Sequence, residues 1–366
     1  MTVQITIIGL GQIGTSLGLA LKEHTEKIYR VGHDKVHSRA QQAKDLGALD
    51  QAQRNLHNAV KEADIVLLAL PLSEIRPTLE LIGNDLRPGT VLMETAPAKA
   101  AVADWVGELL SPGCDYIGLL PTIHPAHLLG LISGQAAAHE DLFRDAPMLI
   151  ISPPARAGED RGPRTDSVLR PPSSVFPQST GKAIKAASDL VELLGAKPLF
   201  IDIAETDGLI AALELMPRLI AAALVNITIG QPGWQEGTKL TGRVYAEATG
   251  PIASEDQDAS CEAESLLTAS VSNKGNVLRV MDNYISALQS LRDDVAEGSL
   301  EAGLDNKSPL YDYLMTAYKA RQRWWQERNS PDWGAPRLSN MAIPQISLAT
   351  RIFGTGDFLR RDKKKK

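Results

Sequence analysis

A strand that runs straight into a glycine-punctuated turn and then a helix, in the first twenty residues, constrains this chain more than any other feature. The segment is Ile5-Thr-Ile-Ile-Gly9-Leu-Gly11-Gln12-Ile13-Gly14-Thr-Ser-Leu-Gly18. Val3–Ile8 has the apolar, β-branched character of a buried strand, and Gln12–Lys22 carries an amphipathic helical pattern. In such a turn the first glycine permits the tight reversal and the second leaves no Cβ in the path of an approaching diphosphate. The third lets the helix pack closely on the strand. Amide hydrogens at the helix start then face the anion. The motif therefore implies a dinucleotide site at Gly9, Gly11, Gln12, Ile13 and Gly14.

The surrounding sequence supplies the context that the motif requires. A second strand, Ile28–Gly32, leads to Asp34, 20 positions past Gly14, where a ribose-binding carboxylate belongs. Asp34 would accept hydrogen bonds from the adenosine ribose and repel a 2′-phosphate, which favours NAD. Lys35, His37 and Arg39 follow closely and soften that repulsion, so NADP remains the alternative. Ala63–Pro71 reads as a fully buried strand stopped by a proline, placing Leu70 and Pro71 at the edge the cofactor would cross.

Strand and helix patterns alternate through residue 152. Further strands are expected at Thr90–Glu94, Tyr116–Leu120 and Met148–Ser152, with helices at Ser38–Leu46, Ile75–Ile82 and Ala98–Leu110. A Pro-, Arg- and Ser-rich stretch at 153–179 reads as an exposed loop. A last helix and strand follow at Ala183–Leu194 and Pro198–Asp202. Beyond them only helical patterns appear: Leu209–Ile229, Ser265–Val295 and Pro309–Arg328. The expected fold class is α/β, with an N-terminal Rossmann-type doubly wound parallel sheet followed by an all-helical dimerisation domain. The expected domains are residues 1–203 and 204–330, with a tail at 331–366 that ends in Lys363–Lys366.

Composition excludes several other classes. A net charge of -6 argues against a nucleic-acid partner. The two cysteines, Cys114 and Cys261, show neither disulfide-framework nor zinc spacing, and the carboxylates show no paired spacing, so no metal site is expected. No signal peptide is recognisable, and a cytoplasmic location is expected. Leu209–Ile229 is apolar enough to raise the question of a membrane, but Glu214, Pro217 and Arg218 interrupt it. A buried helix bent at Pro217 is expected instead, with no membrane partner. Trp324, Trp325 and Trp333 are expected to pack against the helical core or a second copy.

Together these segments resemble the prephenate/arogenate dehydrogenase family of tyrosine biosynthesis over most of residues 3–295. The likeness includes the glycine motif, Ala63–Pro71, the pair His124-Pro125 after a glycine-bearing strand, Glu205-Thr-Asp-Gly-Leu-Ile-Ala-Ala and Ser272-Asn273. The resemblance implies an enzyme, an NAD-dependent dehydrogenase that dimerises through its helical domain and binds a small-molecule substrate between the domains. In that family hydride leaves the ring carbon bearing the 4-hydroxyl, a histidine acts at the hydroxyl, and loss of CO2 aromatises the ring. By the match His124 is that catalytic histidine, and an imidazole suits the task because its ordinary pKa lies near neutrality. The alternative is a structural histidine beside a proline turn. His127 is read as a bystander.

Departures from the family pattern leave other outcomes open. Pro97 stands where the family carries a serine that orients the histidine, with Thr95 as the nearby substitute. The central helix has Glu214-Leu-Met-Pro217-Arg218 where histidines are usual, and all seven histidines lie at or before His139. A substrate with two carboxylates needs cationic clamps, for which Arg243 and Arg218 are the candidates. Arg218 could equally extend to solvent. A same-family oxidoreductase with another substrate, or a non-catalytic dinucleotide-binding dimer with a regulatory role, are the alternatives to prephenate or arogenate oxidation.

Overall fold

In the computed structural model the described residues are 2–128, 134–152, 180–253, 259–298 and 308–330. The expected 153–179 loop, Trp333 and the basic tail lie outside them. Eight strands form one sheet: β1 (Val3–Ile8), β2 (Ile28–His33), β3 (Gln51–Ala52), β4 (Ile65–Leu68), β5 (Val91–Glu94), β6 (Asp115–Pro121), β7 (Pro147–Ile151) and β8 (Lys197–Ile201). Their order is β3-β2-β1-β4-β5-β6-β7-β8. All neighbours pair in parallel except β6 with β7. The order reverses between β1 and β4, which creates a crevice beyond the carboxyl ends of those strands, the place where doubly wound sheets bind ligands.

Helices cover the sheet: α1 (Gln12–Ala20), α2 (His37–Asp45), α3 (Leu56–Val60), α4 (Leu72–Ile82), α5 (Lys99–Leu109) and α6 (Gly181–Leu193). Because parallel strands are covered on both sides, their residues are apolar in continuous runs. Ile5, Ile7, Leu67, Met93, Ile117 and Leu119 meet Leu17, Leu142, Phe143 and Leu190 in one core. At 25 cal/mol per Å2 of apolar area, burial of each large side chain contributes about 1.5–3 kcal/mol.

The helical region begins with α7 (Ile203–Ile210), passes through a π-helical turn at Ala211–Leu215, and continues as α8 (Met216–Ile229). The expected bend at Pro217 is thus displaced. Proline sits in the first turn of α8, where its missing N–H is tolerated, and the distortion falls in the preceding turn. Nor is this helix buried in the single chain as expected. The most apolar 18-residue window of Ile203–Ile229 has a mean hydropathy of 1.8, yet only 28% of it is buried. By length and composition alone it could cross a bilayer. Short helices α9 (Trp234–Gly237) and α10 (Arg243–Thr249) follow.

The single helix expected over Ser265–Val295 is two: α11 (Ser260–Ser272) and α12 (Lys274–Glu297), parted at Asn273. Asn273 is buried and its amide donates to the Asp207 carbonyl at 2.7 Å, so a backbone break there satisfies a polar group inside the packing. The chain divides into two compact units, Met1–Val280 and Met281–Lys366. Within the second, α13 (Pro309–Arg328) is capped by Ser308, whose hydroxyl accepts Tyr311 N–H. Its Trp324 and Trp325 flank the Arg321 guanidinium, 4.6 and 5.0 Å from the ring centres.

Candidate active site at the carboxyl edge of the sheet

The glycine turn has the geometry its chemistry requires. Gly9 has φ +90°, and a Cβ there would meet the Ala69 backbone at the end of β4. A Cβ on Gly14 would overlap the Gly9 carbonyl. Gly11 differs: among the described residues nothing lies within 4 Å of where its Cβ would be, so its bare backbone is open at the N-cap of α1. These are the conditions for a close diphosphate approach.

Asp34 is buried at the end of β2, and both carboxylate oxygens are engaged. Oδ2 accepts Leu10 N–H and Oδ1 accepts Val36 N–H, each at 2.8 Å. The carboxylate therefore fastens the glycine turn to the start of α2, and each oxygen keeps a lone pair for a further donor. Gln12 opens α1 and its amide donates to Ala137 O at 3.2 Å. Ile13 packs in part against the main core. Leu70 leans toward Gly9, and exposed Pro71 caps α4.

Thr95 follows β5. Its N–H donates to Leu68 O at 3.1 Å and its hydroxyl points to the same carbonyl at 3.5 Å, tying it to the end of β4. His124 follows β6 and caps a 3-10 turn, Pro125–His127, with Nδ1 accepting Ala126 N–H at 3.2 Å. Its own N–H donates to Leu142 O at 2.7 Å. Gly9, Leu70, Thr95 and His124 therefore all sit just past the carboxyl ends of β1, β4, β5 and β6, on one edge of the sheet. The two arginines are placed differently. Arg218 pairs with Glu214 at 2.7 Å and Arg243 with Glu247 at 2.7 Å, each along its own helical stretch.

Beneath that edge lies a buried polar network. Glu94 and Lys99 are fully buried and paired at 3.0 Å. Lys99 also donates to Leu119 O at 2.7 Å, and Tyr116 donates to Glu94 at 2.9 Å. Burial pushes the Lys99 ammonium below its ordinary pKa, an effect Glu94 opposes. Burial first, then the Glu94 charge, raises the Tyr116 phenol well above its usual value. Asp207 of α7 reaches the same place, its carboxylate accepting Lys99 N–H at 2.8 Å and Ala100 N–H at 3.1 Å. The spacing Glu94–Lys99 was visible in sequence, but not that both would be buried as a pair.

Three side chains with no expected role also meet. His127, His139 and Asp141 converge near His124. His127 and His139 were far apart in sequence terms, and only the fold of the β6–β7 connection unites them.

Comparisons with known proteins bear on the fold and the kind of protein this is. The sequence family described as prephenate dehydrogenase, nucleotide-binding domain, matches residues 17–162. A prephenate dehydrogenase of Bacillus subtilis (strain 168) is 25% identical over 316 residues, 86% of this chain and 74% of that protein. A cyclohexadienyl dehydrogenase of Zymomonas mobilis is 24% identical over 321 residues, 87% of this chain and 94% of its own. Over its nucleotide-binding region, and along most of its length at lower identity, the chain is similar to the prephenate/arogenate dehydrogenase family. Among solved structures, a prephenate dehydrogenase from A. aeolicus shares the fold with a TM-score of 0.67 and 16% identity, covering 88% of this chain and 99% of that one. Synechocystis arogenate dehydrogenase does so with a TM-score of 0.59 and 20% identity, covering 88% and 100%. Within a prephenate/arogenate dehydrogenase framework, the α/β sheet with a helical C-terminal region is the expected architecture, and the chain is a dehydrogenase.

Proposed function

We propose that this dehydrogenase uses NAD to oxidise and decarboxylate prephenate or arogenate in the cytoplasm, with His124 acting at the substrate hydroxyl. The observation that carries the proposal is the common edge: the glycine turn, Leu70, Thr95 and His124 follow the carboxyl ends of β1, β4, β5 and β6, four consecutive parallel strands. Gly9, Gly11, Gln12, Ile13, Gly14, Leu70 and Pro71 would line the dinucleotide, and Asp34 would take the ribose hydroxyls with its remaining lone pairs. Bound there, the nicotinamide supplies the hydride acceptor. A neighbouring relative's structure was obtained with hydroxyphenyl propionate and NAD+, consistent with a ring-bearing acid beside the cofactor.

One hydrogen bond constrains the His124 ring. With Nδ1 accepting Ala126 N–H, the neutral ring would carry its hydrogen on Nε2. Accepting the hydroxyl proton requires the ring to release Ala126 or to exchange tautomer as substrate binds. Thr95 would orient the substrate from β5, and Arg218 and Arg243 would take its carboxylates once released from Glu214 and Glu247. Those intrahelical pairs, with Pro97 in place of a serine, favour a second reading: the same chemistry on a related substrate with fewer carboxylates.

The domains would divide the labour, residues 1–203 holding the dinucleotide and 204–330 the substrate and the dimer contact. The exposed apolar residues of the helical region, including Leu213, Ile227, Leu240 and Val244, would be covered by a second copy. The test is turnover of prephenate, then arogenate, with NAD, followed by absorbance of the reduced cofactor, alongside His124→Asn. Asparagine retains an acceptor for Ala126 N–H, so the turn is kept while proton transfer is removed. Turnover abolished by the substitution, with NAD binding intact by calorimetry, is the expected result. Binding of NAD without turnover of either substrate would remove the tyrosine-pathway assignment.

A further inference from the structure

The connection between β6 and β7 brings together three metal-ligating side chains that the dehydrogenase reaction does not use. His127 Nε2 lies 2.7 Å from Asp141 Oδ1, and His139 Nδ1 lies 2.5 Å from the same oxygen. The two rings are 4.6 Å apart, tilted by 37°. All three ligand atoms lie within 4.8 Å of one another. Two imidazoles directed at a single carboxylate oxygen form a concentrated donor set, and a cation between them would replace two N–H bonds with two metal–nitrogen bonds.

We propose that His127, His139 and Asp141 bind one first-row divalent transition cation of the Zn2+ class, with water in the fourth position. Metal–ligand bonds of about 2.0–2.2 Å in a tetrahedron hold neighbouring donors about 3.3 Å apart. The observed separations from Asp141 need to widen by less than about 1 Å to meet that geometry. Two nitrogens and one carboxylate oxygen suit Zn2+, Co2+ or Ni2+; Ca2+ takes six to eight oxygens and Mg2+ a near-octahedral oxygen set. His139 is more than half exposed, which leaves an entry path and room for the water.

The position gives the site a mechanical meaning. His127 ends the turn that His124 begins, and the rings of His124 and His127 are 6.2 Å apart. His139 N–H donates to Ser16 Oγ on α1 at 2.9 Å, Gln135 donates to Thr15 at 3.3 Å, and Gln12 donates to Ala137 O. A bound cation would clip both ends of the connection together and hold it against the helix that follows the glycine turn. The proposal does not rest on the reaction assigned above, and its test reads metal binding and stability.

The full chain, without an affinity tag and stripped with a chelator, is titrated with Co2+ and its visible ligand-field absorption recorded, then displaced with Zn2+. Controls are His139→Gln, His127→Gln and His57→Gln, the last removing another surface histidine paired with a carboxylate, Asp85. One equivalent of four-coordinate Co2+ in the wild-type protein and in His57→Gln, weakened at least about tenfold in both other variants, is the expected result. A Zn2+-dependent rise in Tm of about 5 °C, absent from His139→Gln, should accompany it. Equal Co2+ uptake by wild type and His139→Gln, or no uptake by either, overturns the proposal. Two independent ligand variants keep the test valid if one fails to fold.

Discussion

Gly11 and Gly14 sit three residues apart in the same turn, yet the structure assigns them opposite sensitivities. Gly14→Ala drives a Cβ into the Gly9 carbonyl, so the turn must rebuild, and a loss of more than about 2 kcal/mol of stability is expected in urea denaturation. Gly11→Ala meets nothing among the described residues, and Tm should be unchanged while NAD affinity by calorimetry falls at least about tenfold. Equal behaviour of the two variants would contradict the assignment of Gly11 to ligand approach. The sequence motif predicted both roles because turn, strand and helix are contiguous. It did not predict that Asp34 already spends each oxygen on a backbone N–H, since Leu10 and Val36 reach it through the fold. A second residue-scale expectation concerns Arg30, buried and held by Asp50 through its backbone N–H, Nε and Nη2, with Nη1 on Gly18 O and Gly47 O. Burial raises the Asp50 pKa, but the Arg30 hydrogen bonds outweigh it and hold the carboxyl below its ordinary value. A lowered folded pKa contributes stability above the unfolded pKa and loses it as pH falls through the folded one. Asp50→Asn should thus cost about 2 kcal/mol at pH 7, and its deficit against wild type should shrink in denaturation curves below about pH 4.

At the scale of elements, α5 has its first turn capped from a distance. Its own N-cap residue, Ala98, offers no side-chain acceptor, and the carboxylate of Asp207 on α7 takes the amide hydrogens of Lys99 and Ala100 instead. Asp207→Ala should lower stability by about 1–2 kcal/mol, with Asp207→Asn recovering part of it through its remaining oxygen, as read by urea denaturation. No local pattern announces such a cap, because donor and acceptor are more than a hundred residues apart. The break at Asn273 leaves no mark on the sequence pattern for a related reason: one interrupting residue barely disturbs the 3.6-residue apolar spacing that continues through it. The long strands and the sheet helices, by contrast, were legible, since continuous apolar runs and flanking turns specify them locally. The two-residue β3 has too little sequence to carry such a signal.

For the whole molecule, the helical region presents large apolar residues that stand exposed among the described residues. Leu213, Ile227, Leu240 and Val244 are 63–84% exposed, and Leu240, Val244, Leu224 and Tyr245 line an open apolar cleft of about 520 Å3. Sedimentation should give twice the chain mass, and Ile227→Glu should yield monomer while α8 remains helical. A monomeric wild-type protein would leave the dimer reading without support. Sequence patterning identified the helix over Leu209–Ile229 but neither α9 nor α10, and not which faces one copy covers, because apolar residues run around much of α8. The cap on α5 carries a last implication, for modularity. A nucleotide-binding fragment cut at residue 203 would expose two amide hydrogens at the very edge where Thr95 stands, and it would take the buried Glu94–Lys99 pair out of its surroundings. The portable piece of this chain therefore includes α7 at least, so that grafting the glycine-turn half onto another scaffold must carry Asp207 along with it.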